Sequence, residues 1–305
     1  GDINDDWRYD VSYQTSQVDY NQEIQNDLSV TKLLRATDVI NVAGVPTCVS
    51  KLNGTDSDCI PYNLFSGGLA GDGGIQAIWD ANPEIQTYMA IPNFILGDSS
   101  ETILQAYVEG QTNISIPGAP DTISAVFGYE SRELESDYRP DASAQAADRT
   151  GAGGPIVALA GGYDVDEYFI ELGIPVTNAL NLEVGMRFAE YSTDQDTDAF
   201  KIGAYYQVND DLSIRGTLQS ATRHGSITEL YRGQGSSLTD LDPDPCGTNP
   251  ESGAPPSATL EQCRRTGLAD ADYGSDLKSP ADQYNILTGG NPNLKPEESD
   301  STTIG

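Results

Sequence analysis

The chain has 305 residues, 16 of them basic and 47 acidic, for a formal net charge of −31. That balance excludes nucleic acid as a partner, because phosphate binding needs clustered lysine and arginine. No run approaches the ~20 apolar residues of a spanning helix, but a transmembrane β-barrel carries its signal in alternating segments of about ten residues, so the 37% hydrophobic content does not force a soluble reading.

Taken in chain order, period-two alternation predicts about eight extended segments. Trp7–Val18 sets Trp7, Tyr9, Val11 and Tyr13 on one face, with Arg8, Asp10 and Ser12 on the other. A long excursion, about 20–100, follows, with a helical pattern over Leu28–Val39, Cys48 and Cys59, and the run Gly67–Gly74. That run lacks the Gly-Lys-Ser/Thr of a phosphate loop and reads as a flexible loop. Extended structure resumes over Thr102–Ser115, breaks at Pro117-Gly118-Ala119-Pro120-Asp121 and returns over Thr122–Asp137. After a second excursion, about 138–162, Tyr163–Val176 meets the turn Thr177-Asn178-Ala179, and Leu180–Thr193 alternates Leu182, Val184, Met186 and Phe188 with Glu183, Gly185, Arg187 and Ala189. A loop at 194–198 leads to Phe200–Val208, a turn at Asn209-Asp210-Asp211, and Leu212–Thr222. A last long loop, about 223–297, precedes the closing segment Asp300–Gly305.

Long and short connections alternate, so in an up-and-down meander all short turns fall at one end and all long loops at the other. Outer-membrane barrels show that asymmetry, with short periplasmic turns and long extracellular loops. A soluble β-sandwich has no reason to sort its loops by length. The expected fold is therefore all-β, an antiparallel up-and-down transmembrane β-barrel. Alternation sends Glu183, Arg187, Arg215 and Gln219 to the lumen, since Arg or Lys facing lipid at the midplane costs about 2–4 kcal/mol.

The four cysteines, Cys48/Cys59 and Cys246/Cys263, form two local pairs in stretches rich in Gly, Asp, Asn and Pro. Neither pair has the C-x-x-C spacing of a zinc site, and the single histidine, His224, lies away from both. Three connectivities are open to them; two local disulfides are favoured, which implies a periplasmic, surface or secreted location. His224 with Ser226 and Glu229 lacks a nucleophile-elbow motif and reads as a polar loop residue or ligand contact, not a catalytic base. No enzyme activity and no cofactor are expected. Asp194-x-Asp196-x-Asp198 departs from a calcium loop at Ala199 and Tyr205 and reads as a solvated hairpin tip. Asp240, Asp242 and Asp244 share that ambiguity, with a divalent cation bridging to lipopolysaccharide or a neighbouring loop as the alternative. Tyr62, Trp79, Tyr88 and Tyr231 are aromatics that either stack on a ligand or pack their own loops.

Several stretches carry a family resemblance. Gly289-Gly290-Asn291-Pro292-Asn293-Leu294-Lys295-Pro296-Glu297-Glu298-Ser299 resembles the Asn-Pro-x-Leu-Lys-Pro-Glu signature of the barrel of TonB-dependent outer-membrane receptors. Arg223-His224-Gly225-Ser226-Ile227-Thr228-Glu229-Leu230-Tyr231 is similar to the family's Arg-Ala-Pro-x-Ile-x-Glu-Leu-Phe string, with Gly225 where Pro is usual. Cys59-Ile60-Pro61-Tyr62-Asn63-Leu64-Phe65 looks like its Cys-x-Pro-x-Asn-x-Phe loop motif. Tyr138-Arg139-Pro140-Asp141, Gly162–Glu167, Gly185-Met186-Arg187 and Tyr191-Ser192 match in order and spacing.

The resemblance implies a 22-stranded barrel filled by a plug domain, of which residues 1–305 supply about eight strands without plug or TonB box. The implied partners are a small nutrient ligand (siderophore, cobalamin, oligosaccharide or peptide), outer-membrane lipid, and the TonB-ExbB-ExbD complex acting through the missing plug. The implied location is the outer membrane of a Gram-negative bacterium. The start at Gly1 and the end within a strand point to a segment of a longer or processed protein. A secreted or surface β-rich adhesion or glycan-binding module is the alternative; two stacked sheets with apolar faces inward would favour it.

Overall fold

The computed structural model describes residues 1–63, 82–150, 154–240, 243–249, 251–275, 277 and 283–305. Gly67–Gly74, Trp79, Asp242 and the Leu64-Phe65 end of the loop motif lie outside them. In chain order the strands are β1 (Trp7–Leu28), β2 (Val39–Val42), β3 (Val45–Cys48), β4 (Ala90–Gln111), β5 (Ser124–Pro140), β6 (Leu159–Pro175), β7 (Leu180–Tyr191), β8 (Thr197–Asn209), β9 (Leu212–Arg223), β10 (Gly235–Asp240), β11 (Gln283–Thr288) and β12 (Glu297–Ile304). Eight of them form one antiparallel sheet in the order β1-β4-β5-β6-β7-β8-β9-β12. Each sheet neighbour is thus the next long strand in sequence, the up-and-down meander expected from the alternation. The sheet is open, with one unpaired edge on β1 and one on β12.

Connections 112–123, 176–179 and 210–211 lie at one end of the sheet, and 29–89, 141–158, 192–196 and 224–296 at the other. Cross-strand register sorts the side chains into two faces of opposite character. Val11, Ala106, Tyr129, Tyr168 and Phe188 form one row of the first face. On this face Tyr9, Val11, Tyr13, Phe127, Tyr168, Met186, Phe188, Ile202, Tyr206, Ile214 and Leu218 are between 43% and 69% exposed. Scattered exposed apolar residues are ordinary, but a continuous apolar band across eight strands is a surface that water does not tolerate and lipid does. Along β7 the band runs from Leu180 to Phe188, about 30 Å of strand. At the usual 35–45° barrel tilt that is roughly 21–25 Å of height, matching the apolar band of outer-membrane barrels.

Toward the long-loop end the band stops abruptly. Tyr129, Tyr168 and Phe188 give way on the same face to Ser131, Asp166 and Glu190. The Tyr129 and Tyr168 rings lie 5.2 Å apart, beginning an aromatic row at that edge, and Trp7, Tyr9 and Tyr206 lie toward the short-turn end. Aromatic residues favour the two membrane interfaces because one end of the ring is apolar and the other wet. The further sheets, β2–β3 and β10–β11, are two-stranded hairpins. The stacked pair of sheets that an adhesion module needs is therefore not formed by the described residues.

Strand ends differ from expectation where the band ends. β1 continues ten residues beyond Val18, and β4 begins at Ala90 instead of Thr102, paired together up to Leu28↔Ala90 with one bulge between Ile24 and Asp27. Beyond the band Asn21–Leu28 is mostly polar and Ala90–Gly97 carries apolar residues on both faces, with Asn93, Ile95 and Gly97 buried, so apolar–polar alternation disappears while the backbone ladder continues. The excursion expected over about 20–100 is consequently shorter, 29–89.

Within it, Ser29 caps α1 (Val30–Thr37) by accepting from the Lys32 amide, trimming the helix expected over Leu28–Val39. The short helices α2 (Val49–Leu52) and α3 (Pro83–Met89) complete a small core of Ala36, Cys48, Cys59, Tyr62, Ile85, Tyr88 and Met89. The hydrophobic core thus sits in a loop, since the sheet gives its apolar face to lipid. Cys48 is bonded to Cys59 at the centre of that core, with Cα atoms 6.2 Å apart. The helices α4 (Ala142–Gln145) and α5 (Ile227–Tyr231) precede α6 (Leu260–Arg264) in the last long loop, where Cys246 is bonded to Cys263 within α6.

A disulfide closing so short a segment contributes roughly 2–4 kcal/mol. Replacing Cys48 and Cys59 by Ser should therefore open residues 29–89 to limited proteolysis while the eight-stranded sheet keeps its amide exchange protection. Equal loss of protection in both regions would show that the loop core is not an independent unit.

Candidate functional site

The second face of the sheet is polar, and its chemistry comes from pairs that only the register creates. Glu130 of β5 and Glu167 of β6 stand directly opposite each other. Like charges so placed repel, and two arginines answer them. Arg132 lies 3.3 Å from Glu167 and 3.8 Å from Glu130, while Arg187 of β7 lies 3.6 Å from Glu130 and also pairs with Glu167. Gln105 of β4 donates to Glu130 at 2.9 Å. Glu167 is 4% exposed, and a carboxylate that deeply buried persists only when it is paired.

Arg223 and His224, at the end of β9, overlook this cluster across a cavity of about 530 Å³ that Tyr163, Tyr191 and Thr222 also line. The His224 ring stacks on Tyr191 at 3.9 Å and 6°, meets the edge of Tyr163 at 4.8 Å, and its Nε2 lies 2.8 Å from the Thr193 hydroxyl. Burial holds the imidazole below its ordinary pKa, so it is neutral at neutral pH. No triad assembles around it. Ser226 caps α5 by accepting from the Glu229 amide, and the Glu229 carboxylate is engaged by Arg223.

That engagement is the junction of the two most recognisable sequence stretches. Arg223 donates twice to Glu229, at 3.0 Å each, and to Glu297 at 3.0 and 2.9 Å. The Asn291 amide donates to the Glu229 carbonyl at 2.8 Å, and the Gly290 amide to the Arg232 carbonyl at 2.7 Å. Asn293 donates to the Asn291 side chain, and Leu294 packs with buried Leu230 around Gly225. Pro292 lies in the bend between the two asparagines, and exposed Lys295 with half-buried Pro296 leads into β12. Gly225, standing where the family usually has Pro, has no room to spare: a Cβ there would come within 3.1 Å of Leu230 and 3.3 Å of Leu294. Residues 223–231 and 289–297 therefore form one clamp at the base of the last loop.

Of the residues expected toward the lumen, Glu183, Arg187, Arg215 and Gln219 all fall on the polar face. Glu183 pairs with Lys201 at 3.1 Å, and Glu183, Arg187 and Gln219 line a cavity of about 700 Å³ on that face; Arg215 stands opposite Tyr205. The aromatic candidates behave differently. Tyr62 and Tyr88 are buried in the loop core, where the Tyr88 hydroxyl donates to Asp56 at 2.8 Å beside Arg35. Burial and that carboxylate hold the Tyr88 hydroxyl well above its ordinary pKa. Tyr231 lies flat on Gly161, where any Cβ would overlap its ring. All three pack structure instead of facing a ligand. Among the described residues no three His, Cys, Asp or Glu side chains converge as a metal site. Asp194 turns the β7–β8 hairpin, Asp198 lies in β8, and Asp244 accepts from the Cys246 amide.

The clamp has a pH signature. Hydrogen bonds from Arg223, then from the Ser226 amide, lower the Glu229 pKa from its ordinary 4.5 to about 2. A carboxylate depressed on folding stabilises fully above its unfolded pKa and loses that contribution as pH falls through the folded one. Amide protection at 225–232 and 289–296, relative to the intrinsic exchange rate at each pH, should therefore fall between about pH 4.5 and pH 2, and Glu229→Gln should show the lowered protection at neutral pH. An unchanged profile in the variant would remove Glu229 from the clamp.

Among curated proteins no relative matches this chain. The family model described as TonB dependent receptor-like, beta-barrel matches residues 2–305. An open antiparallel meander with one lipid-type face, one charged face and its long loops at one end is what a wall of such a barrel requires. The chain belongs to the TonB-dependent receptor family, whose members are outer-membrane proteins of Gram-negative bacteria that take up nutrients and act as transporters, not enzymes.

Proposed function

We propose that this chain is part of the wall of a 22-stranded outer-membrane barrel that takes up a scarce nutrient with energy delivered by the TonB complex. In this reading residues 1–305 are one partial barrel domain. The connections 29–89, 141–158, 192–196 and 224–296 are extracellular, and the three short turns are periplasmic. The polar face lines the lumen, where Glu183, Arg187, Arg215 and Gln219 meet either the plug or the passing ligand. A siderophore, cobalamin, an oligosaccharide or a peptide is the cargo class that the family carries. Two unpaired sheet edges support a larger closed assembly, because an exposed long edge strand otherwise recruits another chain.

One observation carries the reading: a single sheet whose apolar face is continuously exposed and whose opposite face is charged and internally paired. The mechanism that follows is ligand capture at the loop end and release through the lumen after the plug rearranges, with no covalent step. A divalent cation between acidic loops and lipopolysaccharide is not needed for it.

The described cysteines are both disulfide-bonded pairs, with no free thiol, so introduced cysteines report cleanly. In outer membranes of cells producing the receptor, Met186→Cys and Ile202→Cys should resist a water-soluble maleimide, and Gln219→Cys should react. The reverse pattern, or equal reaction at all three, would overturn the assignment of lipid and lumen faces.

A further inference from the structure

Above the apolar band, the polar face of the sheet carries a third cavity, apart from the two that Arg187 lines. It measures about 490 Å³, within the range of small-molecule sites. Its floor is two register rows. Tyr20, Gly97, Tyr138 and Leu159 form one, and Val18, Ser99, Ser136 and Gly161 the other. Gly97 has no side chain to separate its neighbours, so the Tyr20 and Tyr138 rings lie side by side across it, with centroids 6.3 Å apart and planes at 29°. The Tyr20 hydroxyl donates to Gln22, which fixes that ring. Beside the rings the Ser99 and Ser136 hydroxyls share a 2.8 Å hydrogen bond, which uses one of their two protons and leaves the other to donate. Ile156, Val157, Thr228 and Arg232 complete the lining. Arg232 is exposed and, among the described residues, makes no ion pair.

We propose that this cleft is a saccharide-binding subsite, an inference that rests on the uptake reading above and narrows its cargo. A sugar ring has an apolar C–H face and a rim of hydroxyls. The cleft divides the same way: two aromatic rings and Ile156, Val157 and Leu159 for the face; Ser99, Ser136, Thr228 and Arg232 for the rim. Charge argues against the other cargoes. The Asp98 and Asp137 carboxylates stand by register on the outward face, paired there with Arg139 at 3.0 and 2.7 Å, so among the described residues the cleft offers a cation no free carboxylate. A multiply anionic ligand would find one unpaired guanidinium, Arg232, among the cleft's described residues to receive it.

The test uses the full receptor in outer-membrane vesicles, titrated with the neutral saccharides maltohexaose, laminarihexaose, xylohexaose and cellohexaose against vesicles lacking it. At least one should bind. Tyr138→Ala and Tyr20→Ala should each weaken it about tenfold, the loss expected for removing one stacked aromatic, and Tyr168→Leu on the apolar face should leave it unchanged. Binding that survives both tyrosine substitutions would overturn the subsite. Vesicles whose receptor labels as expected at Gln219→Cys but binds none of the four would overturn the saccharide assignment while leaving the uptake reading intact. If the labelling pattern itself fails, the uptake reading fails first.

Discussion

Lipid offers no hydrogen bonds, so every backbone N–H and C=O in the hydrocarbon layer must be satisfied by another strand. The rest of this structure follows from that constraint. It forces the chain into a continuous antiparallel ladder, which fixes side-chain parity along each strand and hence which residues see lipid. Leu182, Val184, Met186 and Phe188 are on one face because the ladder holds β7 between β6 and β8 with no bulge in either register. Parity also decides the opposite face, where Glu130 and Glu167 meet head on because their backbones pair, not because their charges agree. Arg132 and Arg187 are the response to a geometry the backbone imposed.

Giving the apolar face to lipid leaves the sheet without a hydrophobic core, and the loops have to make their own. Residues 29–63 and 82–89 do so with three short helices, a disulfide and a cluster around Met89. The last loop uses a different device, a guanidinium shared between two carboxylates at its base, with backbone hydrogen bonds from Gly290 and Asn291. An exposed ion pair contributes little alone, so the clamp gains its hold from bidentate geometry and from Leu230 and Leu294 packed around Gly225. β9 and β12 pair directly along the sheet, and the clamp closes the base of the 73-residue excursion, 224–296, that joins them.

Legibility in the sequence tracks the lipid band. Where one face is apolar, alternation marked the strands well: Leu180–Tyr191 and Leu212–Arg223 differ from expectation by two residues or fewer at each end. Beyond the band the alternation fails: Asn21–Leu28 is mostly polar, and in Ala90–Gly97 apolar residues fall on both faces, buried Ile95 on one and exposed Phe94 and Leu96 on the other, so both stretches read as loop. The site was less legible still. The parity of its own strand marks Arg187 as lumenal, but its partners Glu130 and Glu167 lie on β5 and β6, and only register brings them together. Tyr20 and Tyr138 were hidden for the same reason, separated by 118 residues and joined across Gly97. Tyr62, Tyr88 and Tyr231 drew attention as loop aromatics, yet local packing consumes all three. The one available signal for the hidden pair was a tyrosine in an otherwise polar stretch followed by a motif containing Tyr138.

The distribution of charge bears on how such a wall discriminates. On the polar face, arginines and Lys201 are interleaved with glutamates at salt-bridge distance, so that surface is close to neutral where it is paired. On the outward face above the apolar band, Glu133, Glu135, Asp164, Asp166, Glu190 and Asp198 follow one another across four strands with no arginine or lysine among them. That part of the excess of acid stands on the outward face of the sheet, and the polar face, where it is paired, has little long-range field of its own. Screening over about 8 Å at physiological ionic strength weakens the outer charge further before it reaches the cleft. Selection inside then falls to short-range contacts, ring faces and hydroxyl rims. The Tyr20–Tyr138 floor and the Ser99–Ser136 pair supply both, at the level where the strands leave the membrane and the loops begin.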